Sequence, residues 1–213
     1  MNRNIVFTGK DTAELIEKPM PTVGPHDVLV RTARSTISSG TERANLTGVP
    51  DCGVSIFTDS EETTWPRQSG YSSAGTVVEV GADVKSVRPG DRVAMSWTVH
   101  AEYLSVPEER VYRLPDSVSF EDAALVHIST FPMAAVRKCR LEAGESAIVM
   151  GQGVLGQLAV MILRASGATP VIAADPVAAK REFALKIGAD LAVDPMAPDF
   201  AEQVKAATDL GRV

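Results

Sequence analysis

Short runs in which apolar and polar side chains alternate dominate the first 118 residues, and longer periods take over afterwards. The early runs are Asn4 to Phe7, Glu14 to Glu17, Asp27 to Thr36, Gly75 to Val80, Arg92 to Trp97 and Glu102 to Val106. Turn residues separate them, which predicts the strands of an all-β barrel or sandwich. Gly9-Lys10-Asp11 and Arg88-Pro89-Gly90-Asp91 place Gly and Pro where tight turns need them. Between Gly48 and Gly70 no period is evident, and a loop of that length is usually functional or mobile.

From Ser119 the spacing becomes helical. A Ser N-cap and a first turn with Glu121 and Asp122 open a helix expected to continue through Ala135. Apolar strands are then predicted at 145–150, 170–174 and 191–193, alternating with helices at 154–166, 176–187 and 199–208. That order predicts right-handed βαβ units and a parallel sheet. The fold class is therefore β followed by α/β, with a boundary expected between residues 126 and 127.

Composition narrows the functional classes. Hydrophobic residues make up 45% of the 213 and charged residues 23%, which excludes a disordered or low-complexity chain. The net charge of −6, with no basic stretch, argues against nucleic acid as a partner. The N-terminal residues form no apolar leader, and no run approaches the roughly 18 residues of a membrane span, so a cytoplasmic protein without a membrane partner is expected. Cys52 and Cys139 have neither disulfide-framework nor zinc-knuckle spacing.

The strongest motif is Gly151-Gln152-Gly153-Val154-Leu155-Gly156, which follows a predicted strand and opens a predicted helix. Asp175 ends the next strand, 19 residues after Gly156. In this context Gly151 permits a tight turn, Gly153 lets a pyrophosphate approach the backbone, and Gly156 lets helix and strand pack closely. The helix N-terminus, with Val154 and Leu155 in its first turn, offers N–H groups to the anion. Asp175 is expected to accept hydrogen bonds from a ribose, which favours NAD(H) over NADP(H).

The runs from Gly75 to Val93 and from His100 to Pro107, followed by this βαβ segment, resemble the medium-chain dehydrogenase/reductase superfamily of zinc alcohol dehydrogenase type. The resemblance implies a GroES-like barrel carrying the substrate site, residues 1–126, and a Rossmann domain, 127–213, with the nicotinamide in the cleft between them. It also implies that Lys180 touches the ribose and that Thr130 packs against the nicotinamide. From Ser146 only 68 residues remain (213 − 146 + 1), enough for the first half of a six-stranded Rossmann sheet. The chain is thus expected to be a fragment of a longer homodimeric protein and unstable alone, its last strand leaving an open sheet edge.

Departures from the family pattern bear on the chemistry. Zinc members read C-G-T-D where this chain has Ser39-Gly40-Thr41-Glu42 and G-H-E where it has Gly70-Tyr71-Ser72, and the third ligand falls near Val126. No metal ligand set is left, so no zinc is expected. The S-S-G-T-E-R and G-Y-S-S-A-G segments resemble those of bacteriochlorophyllide dehydrogenase and related sugar or polyketide tailoring members. Proton handling then falls to Thr41, Tyr71, Ser39 or His127, with Tyr71 and Thr41 the first choices and His127 the reserve. Glu42 is expected to pair with a basic residue such as Arg43, His100 to be exposed or in the core, and His26 to lie on the surface. The expected activity is hydride exchange between a secondary alcohol and a ketone. An enone or quinone reductase and a non-catalytic nucleotide-binding protein are the alternatives.

Overall fold

A computed structural model describes residues 1–48 and 64–208. Residues 49–63, most of the Gly48–Gly70 loop and Cys52 with it, lie outside the described residues, as do 209–213. The chain divides into two compact units, Met1–Ile128 and Ser129–Val213.

In the first unit, β1 (Asn2–Gly9) and β2 (Thr12–Lys18) form an antiparallel hairpin that turns at Asp11, φ +56°. A five-stranded antiparallel sheet follows: β3 (Asp27–Ser35), β4 (Ser72–Val80), β5 (Arg92–Ser96), β6 (Tyr103–Pro107) and β7 (Val111–Arg113), in the order β6-β3-β4-β5-β7. Alternation buries Val28, Val30, Val77, Val93, Met95 and Leu104 in one core. Strands β3 and β4 approach so closely at Gly75 that a Cβ there would stand 2.2 Å from the Arg31 carbonyl oxygen. Strand β7 is not among the predicted runs: three residues, two of them exposed, carry no readable period.

Helix α1 (Ser39–Thr47) also has no apolar period, because the residues it buries are Glu42 and Asn45. It stops at Gly48, whose φ of +74° suits glycine and whose N–H returns to the Ala44 carbonyl. The helix expected from Ser119 is two helices, α2 (Phe120–Ala123) and α3 (Val126–Cys139). Ser119 caps the first as predicted, its Oγ accepting the Asp122 N–H at 3.0 Å. The break follows from hydrogen bonding: the Ala124 carbonyl accepts the Thr36 hydroxyl at 2.8 Å and the Ser72 hydroxyl at 2.5 Å, and Ser72 Oγ accepts the Ile128 N–H at 3.3 Å. These bonds tie the start of α3 to the β-rich unit, so the division falls at 128/129 rather than at 126/127.

The second unit is a parallel sheet of β8 (Ala147–Met150), β9 (Val171–Ala174) and β10 (Leu191–Val193), in the order β10-β9-β8. Its crossovers are α4 (Val154–Ala165) and α5 (Ala178–Lys186), and α6 (Phe200–Thr208) follows β10. Strand β9 is buried along its whole length, as a strand covered on both faces should be. Val171 and Ala173 pack with Val160 and Leu163 of α4, whereas Ile172 and Ala174 pack with Val193 and, across it, Phe200 and Val204 of α6. Both β8 and β10 have one strand neighbour among the described residues, and Ile148 and Met150 of β8 are exposed. No helix among the described residues is long and apolar enough to cross a membrane.

Met95, 1% exposed in the first core, tests the packing. Met95→Ala should lower unfolding free energy by about 2–5 kcal/mol, while Val78→Ala at an exposed position should change it by less than about 0.5 kcal/mol. Urea midpoints followed by tryptophan fluorescence report both.

Candidate functional site

Strand β3 ends at Ser35, and the chain then enters α1 through Ser38, the N-cap residue. Ser38 is buried, and its backbone is held from both sides by one residue. Its N–H donates to Glu42 Oε1 at 2.8 Å, and its carbonyl accepts the Glu42 N–H at 2.8 Å. Its hydroxyl makes no capping bond. Instead Ser38 Oγ accepts the Tyr71 hydroxyl at 2.7 Å and lies 3.3 Å from Thr41 Oγ1. Tyr71 and Thr41, the two first candidates, are thus joined through one oxygen. Ser39 stands beside this chain rather than in it. It is the first residue of α1 and is exposed, so the serine hydroxyl joined to Tyr71 belongs to Ser38, one position earlier.

Glu42 does not pair with Arg43. Its Oε2 lies 2.9 Å from His100 Nε2, and His100 Nδ1 lies 2.8 Å from Ser35 Oγ. His100 is 7% exposed, and its backbone N–H and carbonyl are bonded to Ser69 and Ile5. Gly70 passes directly over the ring with φ +107°, and a Cβ there would meet His100 atoms at 3.1 Å. His26 is on the surface, 3.6 Å from Asp83.

An aromatic group adjoins the hydroxyls. Tyr71, Trp97 and His127 are mutually packed, with centroid separations of 6.2 Å for Tyr71 and Trp97, 5.8 Å for Tyr71 and His127, and 4.9 Å for Trp97 and His127. Trp97 holds φ +56°, uncommon for a bulky side chain and concentrated at functional sites, and its N–H is bonded to the Tyr71 carbonyl. The residue is 57% exposed. Burial pulls the His127 imidazole below its ordinary pKa, so the ring is neutral at pH 7. Neither Trp97 nor Ser38 was singled out as a site residue in the sequence.

The positions that the resemblance aligns with zinc ligands do not fit that ion. Ser39 offers only an exposed hydroxyl, the Tyr71 hydroxyl is committed to Ser38, and Val126 has no donor atom. Among the described residues no group of three or more His, Cys, Asp or Glu could hold a metal.

In the second unit the glycine loop joins β8 to α4. Gly151 has φ +86°, and its N–H reaches the Ala174 carbonyl at 2.7 Å. Gly156 lies so close to the turn that a Cβ would stand 1.8 Å from the Gly151 carbonyl oxygen. Gly153 caps α4 and has nothing within 4 Å of where a Cβ would be, so the space beside the cap is open. That space fits an anion at a helix N-terminus. Asp175, 4% exposed at the end of β9, faces this loop. Its Oδ2 accepts the Gln152 N–H and its Oδ1 the Val177 N–H, both at 2.8 Å, and Lys180 Nζ lies 3.6 Å away. Burial by itself would raise the Asp175 pKa; the two N–H groups and Lys180 outweigh it and hold the carboxyl below the ordinary aspartate value. Thr130 is exposed on α3.

Two family models match the chain: the alcohol dehydrogenase GroES-like domain over residues 24–116, and the zinc-binding dehydrogenase model over residues 154–213. A (R,R)-butanediol dehydrogenase of Bacillus subtilis is 34% identical over 162 residues, covering 64% of this chain and 46% of that protein. An L-threonine 3-dehydrogenase of Pyrococcus abyssi is 29% identical, covering 92% and 62%. The chain therefore spans about half to three fifths of the length of these relatives. The crystal structure of 2R,3R-butanediol dehydrogenase from Bacillus subtilis superposes with a TM-score of 0.83 at 26% identity, covering 98% of this chain and 67% of that one. A zinc-binding-dehydrogenase-like structure from Sinorhizobium meliloti 1021, bound to NADP, gives 0.79 at 26%, covering 95% and 64%. With a GroES-like β-rich unit followed by the first part of a Rossmann unit, the chain belongs to the medium-chain dehydrogenase/reductase superfamily of zinc alcohol dehydrogenase type.

Proposed function

We propose that this chain is part of an NAD(H)-dependent oxidoreductase that interconverts a secondary alcohol and a ketone without catalytic zinc. Its partner is a small-molecule alcohol or ketone, and the full-length protein is a cytoplasmic homodimer. The reading is carried by the chain Tyr71–Ser38–Thr41, which offers a proton path starting from Tyr71, a position where a metal-dependent relative carries a ligand.

In alcohol oxidation the carbinol carbon loses a hydride while its oxygen loses a proton, leaving the ketone. The nicotinamide, when bound, supplies the hydride acceptor. The proton is the task of this chain's side chains. As Tyr71 Oη takes it up, its own proton passes to Ser38 Oγ at 2.7 Å, and the Ser38 proton passes to Thr41 Oγ1 at 3.3 Å. Thr41 is exposed, so the path ends in water. Ketone reduction runs the same path inward. His127, neutral at pH 7 and packed against Tyr71, is the reserve proton acceptor. Gly151, Gly153 and Gly156 shape the loop for a pyrophosphate, with the first turn of α4 supplying N–H donors from Val154 and Leu155. The lone pairs that Asp175 keeps after binding two N–H groups are left for ribose hydroxyls, with Lys180 beside them. Thr130 is assigned to the nicotinamide side.

Replacing Tyr71 by Phe should lower kcat by roughly 10² to 10⁴, the range of positioned acid/base groups. A loss under about tenfold would move the proton role to His127. For the cofactor, calorimetric titration should show NADH binding at least about tenfold more tightly than NADPH, because a 2′-phosphate would forfeit a hydrogen bond to a charged group worth roughly 1.5–3 kcal/mol. Equal affinities would refute the assignment. Elemental analysis of purified protein should find no stoichiometric zinc, and close to one zinc per chain would overturn the zinc-free reading.

A further inference from the structure

An N-cap serine ordinarily spends its hydroxyl on the N–H of the second or third helical residue. Ser38 does not, and its backbone is held by Glu42 instead. The glutamate reaches back to the Ser38 N–H while its own N–H meets the Ser38 carbonyl, both at 2.8 Å, a one-residue-longer relative of the capping box. With both main-chain polar groups fixed, the Ser38 backbone has little freedom, and its Oγ is left aimed at Tyr71 and Thr41.

Glu42 is itself held from behind. Its second oxygen binds His100 at 2.9 Å, and the opposite ring nitrogen binds Ser35 at 2.8 Å. Ser38, Glu42 and His100 are exposed by 6%, 7% and 7%. Such a buried pair is weak evidence for stability, since well-packed apolar replacements are often neutral or better. What it does supply is geometry: a continuous path from the end of β3 through His100 and Glu42 to Ser38, ending on the Tyr71 hydroxyl. Gly70 lies against His100, leaving no free room there for a Cβ.

We propose that Glu42 and His100 are positioning residues that fix the Ser38 hydroxyl and, through it, aim the Tyr71 hydroxyl for proton transfer. The proposal rests on the proton role given to Tyr71 above. Neither residue touches the reacting atoms in this scheme.

Tyrosine labelled with ¹³C at Cζ reports Tyr71, Tyr103 and Tyr112 of this chain, each assigned by the signal lost when it is replaced by Phe. In the full-length protein, Ser38→Ala, Glu42→Ala and His100→Ala should each displace the Tyr71 signal in the same direction while leaving Tyr103 and Tyr112 in place. Glu42→Gln, which keeps an acceptor for the Ser38 N–H, should bring it back. Since an alanine on either side leaves the buried charge or imidazole facing it alone, the deciding variant is Glu42→Met with His100→Leu, which removes that facing pair together and leaves only the Ser38 N–H and the Ser35 hydroxyl without their partners. If this double variant is folded and its Tyr71 signal sits at the wild-type position, the proposal fails. If it does not fold, the pair belongs to the stability of the unit and the proposal fails as well.

Turnover separates this inference from the reading beneath it. With the secondary alcohol oxidised fastest, the double variant should lose about tenfold or more in kcat with KM for the dinucleotide within about twofold. It should lose less than about twofold further when Tyr71 is already Phe. Wild-type turnover in Tyr71→Phe would sink the proton reading and leave the tyrosine signals to judge the pair. An impaired Tyr71→Phe beside an unimpaired double variant would sink the pair alone.

Discussion

An acidic side chain withdrawn from water has to be met by donors, at a cost of several kcal/mol if it is not. Two such side chains organise this molecule, one in each unit. Glu42 meets the Ser38 N–H and His100; Asp175 meets the N–H groups of Gln152 and Val177. In both cases a carboxyl oxygen grips the backbone of a segment proposed to carry chemistry. The entry to α1 is tied down by the first, and the glycine loop together with the start of α5 by the second. Regular hydrogen bonding would leave these segments free; the acids substitute for the missing ladder and helix bonds.

The glycine loop is legible from sequence because each glycine has a local task that no other residue performs. Gly151 needs a positive φ and Gly156 has no room for a Cβ, and both needs arise within a few residues of the chain. The long strands were legible for the same reason: alternation over β3 or β4 is a property of neighbours. What escaped depends on distant partners. His100 and Glu42 are 58 positions apart, and no local period announces their pairing. Helix α1 was invisible because its buried residues are polar, and those are the two whose bonds hold it. The break between α2 and α3 is set by two hydroxyls, of Thr36 and Ser72, that capture the Ala124 carbonyl from elsewhere in the chain.

Ser38 shows how small the distance is between a correct pattern and a misassigned atom. The S-S-G-T-E-R segment was read around Ser39, the residue aligned with a metal ligand. The helix begins at Ser39, one residue earlier than it would if Ser39 were its cap, so Ser39 is exposed and Ser38 receives the tyrosine. Only the cap geometry distinguishes the two serines.

Asp175 closes the glycine loop and is also the side chain proposed to meet a ribose, and the two duties together constrain what evolution can do at this position. Replacing it with a residue that has no side-chain acceptor, to admit a phosphorylated cofactor, would release the Gln152 and Val177 N–H groups at the same moment. Gln152 is fully buried, so its N–H has no water to turn to. A lineage changing its cofactor preference would first have to reinforce the loop by other bonds, and the order of substitutions along such a path is thereby fixed.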